Sequence, residues 1–253
     1  MLRYVRFLAL VSLVVWLGAF GQPEDPVRGP RLLTFLDYVK HGSPCSIPTG
    51  TDNTPFEAGY ALPSDGLTYW INTDTFPREL LVDEGAAAIA AINAAAATWN
   101  AEKAVPTLVP GGTTAERAQR RNDGVSTISF GGTPSGSIAA ALVFVVNGEV
   151  IEADIVLSNG WPWSTNEGAS GDCGGDGLTK DLEAVMAHEF GHVVGAKHTP
   201  KSSGYNHRTM YPFIANGELF KRDLERGDVR SIPDNGPGAG GAGGAEPVLV
   251  EAD

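Results

Sequence analysis

A cluster of histidines late in the chain constrains the fold more than any other feature. His188 and His192 are four residues apart, and His198 follows six residues later. On a helix, the first two lie on one face one turn apart, so both imidazoles can bind one metal ion. Gly195 can end that helix in a left-handed conformation, and the chain then returns His198 from another direction. The pattern predicts a metal site with three protein ligands and an open coordination position.

Glu189 lies beside the first histidine and is the candidate catalytic residue. A zinc ion with an open position lowers the pKa of a water molecule to about 7 and polarises a carbonyl group. A neighbouring carboxylate can then accept the proton of the attacking water and pass it to a leaving amine. We therefore predict one zinc ion and a hydrolytic reaction. The alternative is a helix that carries surface histidines by chance.

The stretch from His188 to His198 resembles the extended zinc signature of the metzincin metallopeptidases. These enzymes also have a tight turn with a methionine beneath the zinc, and the sequence Thr209-Met210-Tyr211-Pro212 resembles that turn. The resemblance implies that Met210 forms a hydrophobic floor under the imidazoles and is not a ligand. It implies a metalloendopeptidase that acts on a protein or peptide substrate.

Within the metzincins, the chain resembles the matrixins, the group of the matrix metalloproteinases. Three motifs carry the likeness: Met-Tyr-Pro, Thr199 after the third histidine, and Leu67-Thr68-Tyr69. In addition, the segment 224–232 resembles the closing helix of these enzymes, with Asp228 at an acidic position. The likeness implies an α+β fold with a twisted, mixed five-stranded sheet, an active-site helix and a C-terminal helix. Residues 138–146 would be the antiparallel edge strand, which pairs with the substrate backbone in such enzymes.

The chain also departs from related enzymes at several positions. Tyr211 is adjacent to Met210 and is not assigned as a ligand. No histidine lies between His41 and His188, so the second, structural zinc of vertebrate matrixins is not expected. A calcium site stays open, although aspartates of this kind also form turns. Its candidate ligands are Asp154, Asp172 and Asp176.

Four segments divide the chain. Residues 1–21 read as a signal peptide, and residues 22–66, rich in Pro, Gly, Thr and Ser, as an irregular N-terminal extension or short pro-segment. Residues 67–233 carry the strong patterns and form the predicted catalytic domain. Residues 234–253 are a flexible Gly- and Ala-rich tail, since such a composition cannot build a core.

Composition and the first segment predict the compartment and the partners. A positively charged start precedes an apolar run, 7–20, that is shorter than the roughly 20 residues needed to span a bilayer, so we prefer a signal peptide to a membrane anchor. We expect a secreted, extracellular monomer (periplasmic in a Gram-negative bacterium) with no stable membrane anchor. A net charge of −12 argues against nucleic acid as a partner.

Periodicity predicts the main elements. Asn147-Gly148 between two β-prone runs favours a type I′ hairpin. Thr179 is the predicted cap of the active-site helix, which runs to about Val194. The other predicted elements are strands at 67–71 and, half-buried, at 125–130, and helices at 83–103 and 222–232. The first of these helices is predicted to bury one face, because apolar residues recur there at 3- to 4-residue spacing: Leu81, Ala88, Ile92, Ala95 and Trp99.

The two cysteines, Cys45 and Cys173, leave two interpretations open. In an exported protein an even count favours a disulfide, which would close a long loop. Ser43-Pro44-Cys45-Ser46 also resembles the matrixin latency motif, in which a thiolate caps the zinc, although the flanking Arg, Gly and Asp are missing. We favour the disulfide over this cysteine switch.

Three alternatives to the main functional prediction remain. The first is a non-catalytic zinc-binding or adhesion module on a metzincin scaffold. The second is a metzincin of another subgroup with a different specificity. The third concerns Trp161-Pro162-Trp163, which could line a carbohydrate-binding surface, although loop aromatics are more often partly buried.

Overall fold

The computed structural model describes residues 30–36, 38–102, 108–118, 122–133 and 137–233. The predicted signal peptide, 1–21, and the predicted tail, 234–253, lie outside the described residues. Within the described part of the chain, no helix is long and apolar enough to cross a membrane.

Short strands and a few helices make up the described part of the chain. The strands are β1 (Arg31–Leu36), β2 (Tyr38–Pro44), β3 (Leu67–Ile71), β4 (Leu108–Thr113), β5 (Ser126–Gly131), β6 (Ala139–Val146), β7 (Glu149–Ser158), β8 (Trp163–Ser164), β9 (Lys180–Asp181) and β10 (Phe213–Asn216). The α-helices are α1 (Ala86–Glu102), α2 (Leu182–Val193) and α3 (Arg226–Val229).

The main sheet has the order β1-β6-β7-β5-β3-β4. Strands β3, β4, β5 and β7 are parallel to one another, whereas β6 is antiparallel to β7 and β1 is antiparallel to β6. This mixed sheet with helices confirms the predicted fold class. The expected strand count was one too low, because β1 comes from the extension that we expected to be irregular. Its apolar run finds hydrogen-bonding partners along the open edge of β6.

The hairpin of β6 and β7 forms as the sequence predicts. Asn147 has φ 52° and Gly148 has φ 80°, as the two central residues of a type I′ turn require. By contrast, β5 is not half-buried, since five of its six residues are buried. Its polar side chains find backbone partners instead of water: the Ser126 hydroxyl accepts from the N–H of Ala153, and the Ser129 hydroxyl from that of Ala118.

Helix α1 packs against α2 through the face that the sequence predicts. Trp99 is 2 % exposed, and its indole Nε1 donates to the carbonyl of Ala187 on α2 at 2.7 Å. Leu81, assigned to the same face, lies before the helix and is 42 % exposed. The buried residues of α1 are Ala88, Ala91, Ile92, Ala95, Ala96 and Trp99.

Two helix ends differ from expectation. The N-cap of α2 is Asp181, whose carboxylate accepts from the N–H of Ala184 at 2.8 Å, and not Thr179. The final helix was predicted over 222–232 but spans only Arg226–Val229. It starts late because Arg222 belongs to a preceding 3₁₀ turn. In that turn, Nη2 of Arg222 lies 2.5 Å from Oδ2 of Asp181 and forms an ion pair with it.

Candidate metal centre

Helix α2 supplies the first two imidazoles of the site. Its Asp181 cap and the acidic Glu183 in its first turn both stabilise the positive end of the helix. His188 and His192 lie one turn apart on the same face, and both are fully buried. Their Nε2 atoms are 3.1 Å apart. The helix thus aims two ring nitrogens at the same point.

The end of α2 sends the chain back to deliver the third imidazole. The N–H of Gly195 donates to the carbonyl of His192, and that of Ala196 to Gly191, in the pattern of a Schellman C-cap. Gly195 has φ 103°, and a Cβ there would lie 2.5 Å from the carbonyl oxygen of Tyr60. Glycine is therefore required, and the turn after it returns His198.

The three histidines form a compact triangle that fits a zinc ion. The Nε2 of His198 lies 3.1 Å from the Nε2 atoms of both His188 and His192. Tetrahedral zinc, with bonds to nitrogen of about 2.0–2.1 Å, separates neighbouring ligand atoms by about 3.3 Å. The observed spacing and the all-imidazole donor set both match that requirement. Among the described residues, these three are the one group of at least three His, Cys, Asp or Glu side chains whose ligand atoms all lie within 4.8 Å of one another.

Hydrogen bonds fix the tautomer of two of the rings. Nδ1 of His188 donates to the carbonyl of Thr209 at 2.6 Å, and Nδ1 of His192 donates to the carbonyl of Ala196 at 2.9 Å. A carbonyl only accepts, so the proton sits on Nδ1 and the lone pair on Nε2. Two lone pairs facing each other at 3.1 Å repel unless they share a cation. This arrangement orients the rings as metal ligands.

Glu189 is the next residue of α2 after the first histidine and is fully buried. The structure therefore places a carboxylate in the same helical turn as His188, inside the protein and not on the solvent face. Its catalytic role stays a prediction.

Met210 lies beneath the helix that carries the site. It is fully buried, and a Cβ at Gly191 would meet its Sδ at 2.2 Å. Gly191 is therefore the residue that lets the methionine approach α2 between the two histidines. The carbonyl of Met210 accepts from the N–H of Thr199 at 3.0 Å, which ties the turn to the residue after His198.

A buried ion pair holds this turn, and sequence reasoning missed its basic partner. Asp228 accepts from Nε of Arg208 at 2.8 Å, and both side chains are fully buried. The same carboxylate accepts from the backbone N–H groups of Thr209 and Met210 at 3.1 and 3.2 Å. The resemblance of 224–232 to a closing helix singles out Asp228, but no local pattern in the sequence indicates Arg208.

Lys221 is a second buried cation, and no local pattern in the sequence indicates it. Its Nζ donates to the carbonyls of Arg208, Thr209 and Tyr211 at 3.1, 3.0 and 2.6 Å. The Thr209 carbonyl thus accepts from both Lys221 and His188. The ammonium group orients the carbonyl that fixes the ring of His188, the first candidate ligand.

Two further aromatic residues contact His192. The buried hydroxyl of Tyr60 donates to the His192 carbonyl at 2.5 Å, and burial raises the tyrosine pKa. The ring of Phe35, on β1, stacks on the imidazole with centroids 4.1 Å apart and planes 10° from parallel. Neither contact was predicted, because both residues are more than 130 positions away in the chain.

Ionisable groups are also buried around β10, which follows the Met210 turn. Nζ of Lys180 donates to the carbonyl of Ile214 at 2.9 Å, and burial lowers the lysine pKa to about 8. Glu218 accepts from the N–H of Ala215 at 2.9 Å. Burial raises the pKa of Glu218, and the positive charges of Lys221 and Lys180 oppose that rise.

The cysteines and the candidate calcium ligands are not members of the histidine group. Cys45 and Cys173 form a disulfide with Cα atoms 5.5 Å apart, so Cys45 has no free thiol to cap a metal. Asp154 is buried on β7 and accepts from the N–H of Thr127 at 2.8 Å. Asp176 accepts from the N–H of Leu178 at 3.0 Å, as a turn aspartate does. Calcium binding stays a prediction.

The tryptophan pair is not an exposed sugar-binding platform. Trp163 is 2 % exposed, and its indole nitrogen donates to the carbonyl of Ser158 at 2.8 Å. Trp161 packs partly buried against the core. These residues stabilise the loop between β7 and β9.

A comparison with known protein families agrees with a zinc site at these histidines. The family model of the matrixins matches residues 119–234, which include the three histidines, Glu189 and Met210. No curated protein matches the chain.

Proposed function

Because this chain belongs to the matrixin family over the segment that carries the histidine triangle, we propose that it is a secreted zinc-dependent endopeptidase. One observation carries the proposal: three buried or half-buried Nε2 atoms lie 3.1 Å from one another, and two of their rings are anchored through Nδ1. Three imidazole lone pairs directed at one point repel one another unless a cation lies between them, and Nδ1–H bonds to carbonyls are typical of metal-binding histidines.

Each residue has a distinct role in this proposal. His188, His192 and His198 hold the zinc ion, which when bound supplies Lewis-acid activation of a water molecule and of the scissile carbonyl. The Glu189 carboxylate accepts the proton that the attacking water loses and delivers it to the leaving amine nitrogen. Met210 keeps the underside of the site apolar and closed to water.

Substrate recognition and export follow from other parts of the chain. An extended peptide would add to the outer edge of β6 in place of β1, which pairs with the backbone N–H and C=O groups of that edge. The predicted signal peptide, 1–21, would export the protein. The Cys45–Cys173 disulfide supports an oxidising destination, since disulfides persist there.

The test is hydrolysis of a denatured protein such as casein by the zinc-loaded chain. We expect cleavage that a chelator abolishes and that added zinc restores. Glu189→Gln should bind zinc as the wild type does and lose activity by at least about 100-fold, the scale of a general acid/base. The matched control is Glu102→Gln, an exposed glutamate at the end of α1, which should retain full activity.

Two outcomes would oppose the proposal. Cleavage that survives complete removal of metal would exclude a zinc mechanism. The non-catalytic module would be favoured if the protein binds zinc but cleaves no protein substrate, even in variants that weaken the pairing of β1 with β6.

A further inference from the structure

The outer edge of β6 is occupied by the chain itself. Six consecutive residues of β1 pair with it in antiparallel register, from Arg31 opposite Val145 to Leu36 opposite Ala140. Without β1, β6 would be the last strand of the sheet and its outer N–H and C=O groups would be open. A substrate peptide can add to this edge only if β1 leaves it.

The same segment reaches the metal centre. Phe35 is half-buried and lies opposite Ala141 of β6, and its ring stacks on that of His192 at 4.1 Å between centroids. Leu33, two residues earlier, points to the same side, and both side chains pack against the core. The inward face of β1 therefore covers one of the three candidate ligands.

Beyond β1, the segment pairs with a strand that follows the Met210 turn. Strand β2 pairs in parallel with β10, with Tyr38 opposite Phe213 and Val39 opposite Ile214. β10 begins three residues after Met210. The chain thus pairs first with β6 and then with β10, as an extended peptide lying in a cleft between these two strands would.

The downstream end of the segment is covalently anchored. Cys45 directly follows β2 and forms the disulfide with Cys173. After it, the chain is built into the domain: the N–H of Lys197 donates to the carbonyl of Phe56 at 2.7 Å, and Ala58 donates to Gly195 at 2.7 Å. A segment tethered this closely has an effective concentration in the millimolar range at its own site.

We propose that β1 and β2, residues 31–36 and 38–44, are an internal competitive inhibitor of this protein, and we name them the N-terminal strap. The strap binds as an extended peptide between β6 and β10, with Phe35 on the ring of His192. The cleft accordingly selects extended peptides that place an aromatic side chain at this ring. The inhibition uses backbone pairing and one stacked ring, and no cysteine thiol. This inference rests on the proposed peptidase function.

The activity test uses the full chain loaded with zinc. Phe35→Ala removes the stacked ring, and we expect kcat/KM for a casein-derived peptide to rise by about tenfold, the scale of an aromatic contact. The matched control is Leu32→Ala, which shortens a side chain on the opposite face of β1 and should leave kcat/KM unchanged.

Two readouts do not depend on catalysis. A labelled peptide with the sequence of residues 31–44 should bind zinc-loaded Phe35→Ala protein, and the same peptide with alanine in place of phenylalanine should bind about tenfold more weakly. Amides in 139–146 should exchange with deuterium faster in Phe35→Ala than in the wild type. Where the enzyme is active, the peptide should raise KM and leave kcat unchanged.

The outcomes separate this inference from the proposed function. Failure of the peptide to bind, or equal exchange of β6 amides in wild type and Phe35→Ala, would overturn the strap. Peptide binding together with faster exchange, in a protein that cleaves nothing, would uphold the strap as a cleft ligand and refute the peptidase. Activity equal in Phe35→Ala and wild type would show that the strap does not inhibit.

Discussion

Replacing Asp228 with asparagine tests how the turn beneath the metal centre is held. The carboxylate and the Arg208 guanidinium are both fully buried, with Nε and Oδ1 2.8 Å apart. Asparagine keeps the shape but removes the negative charge, which leaves a buried cation with only neutral partners. Removing one partner of such a pair costs about 3–5 kcal/mol. At about 2–4 °C per kcal/mol for a domain of this size, the unfolding midpoint should fall by roughly 6–20 °C.

The same change should weaken metal binding. Asp228 also accepts from the N–H groups of Thr209 and Met210, and an amide oxygen has fewer and weaker acceptor positions than a carboxylate. The Thr209 carbonyl accepts from Nδ1 of His188, so a looser turn lets that imidazole rotate. Loss of such outer support lowers metal affinity about 10–100-fold. Competition with a chromophoric zinc chelator measures this loss.

Thermal unfolding by circular dichroism should be recorded on the metal-free proteins, since zinc would stabilise the wild type more than the variant. Asp65→Asn, at an exposed turn, is the matched control and should unfold within about 1 °C of the wild type. Adding Arg208→Met to Asp228→Asn should restore part of the lost stability, because the unpaired cation is then gone. A midpoint for Asp228→Asn within 2 °C of the wild type would refute the reasoning.

Three further predictions concern the strained turn, the disulfide and a buried lysine. Gly195→Ala places a Cβ 2.5 Å from the Tyr60 carbonyl oxygen at a residue with φ 103°. It should lower the free energy of unfolding by about 1–3 kcal/mol. It should also weaken zinc binding, which calorimetric titration with zinc measures. Changing Cys45 and Cys173 together to serine removes a link between residues 128 positions apart, and the free energy of unfolding measured in urea should fall by about 4 kcal/mol. Peptidase activity should rise, because the strap is then less firmly held in place. An unchanged free energy of unfolding would count against the stabilising role of the disulfide, and unchanged activity against its role in anchoring the strap. Burial lowers the pKa of Lys180 to about 8 from the 10.5 of a solvated lysine. Between these pH values the unfolded chain binds more protons than the folded protein, so the lysine makes the free energy of unfolding rise with pH. Lys180→Met should make the slope of unfolding free energy against pH less positive over this window in urea titrations; an equal slope would show that the lysine is not perturbed.

Local patterns in the sequence predicted the parts of the fold that depend on neighbouring residues. The Asn147-Gly148 turn has the required positive φ values because two adjacent residues decide it. The same holds for the end of α2 at Gly195, where a single left-handed residue turns the chain. The spacing of His188 and His192 placed both on one helical face for the same reason.

The rest depends on contacts between distant residues. Nothing near Arg208 or Lys221 in the sequence shows that each is buried beneath the metal centre, since their partners are formed by folding. The extension reads as irregular because it is rich in Pro, Gly, Thr and Ser. The short run Arg31–Leu36 nevertheless pairs along β6 once that edge exists. Asp181 takes the cap from Thr179 because the helix starts two residues later than the turn signal suggests.

The most direct test of the central claim is the zinc content of the purified protein, measured by mass spectrometry of the metal. The wild type and His207→Ala, which changes a histidine outside the triangle, should each hold one zinc ion per chain. His198→Ala, which removes one corner of the 3.1 Å triangle, should lose it under the same dialysis. Equal zinc in all three proteins, or none in the wild type after loading, would contradict the account.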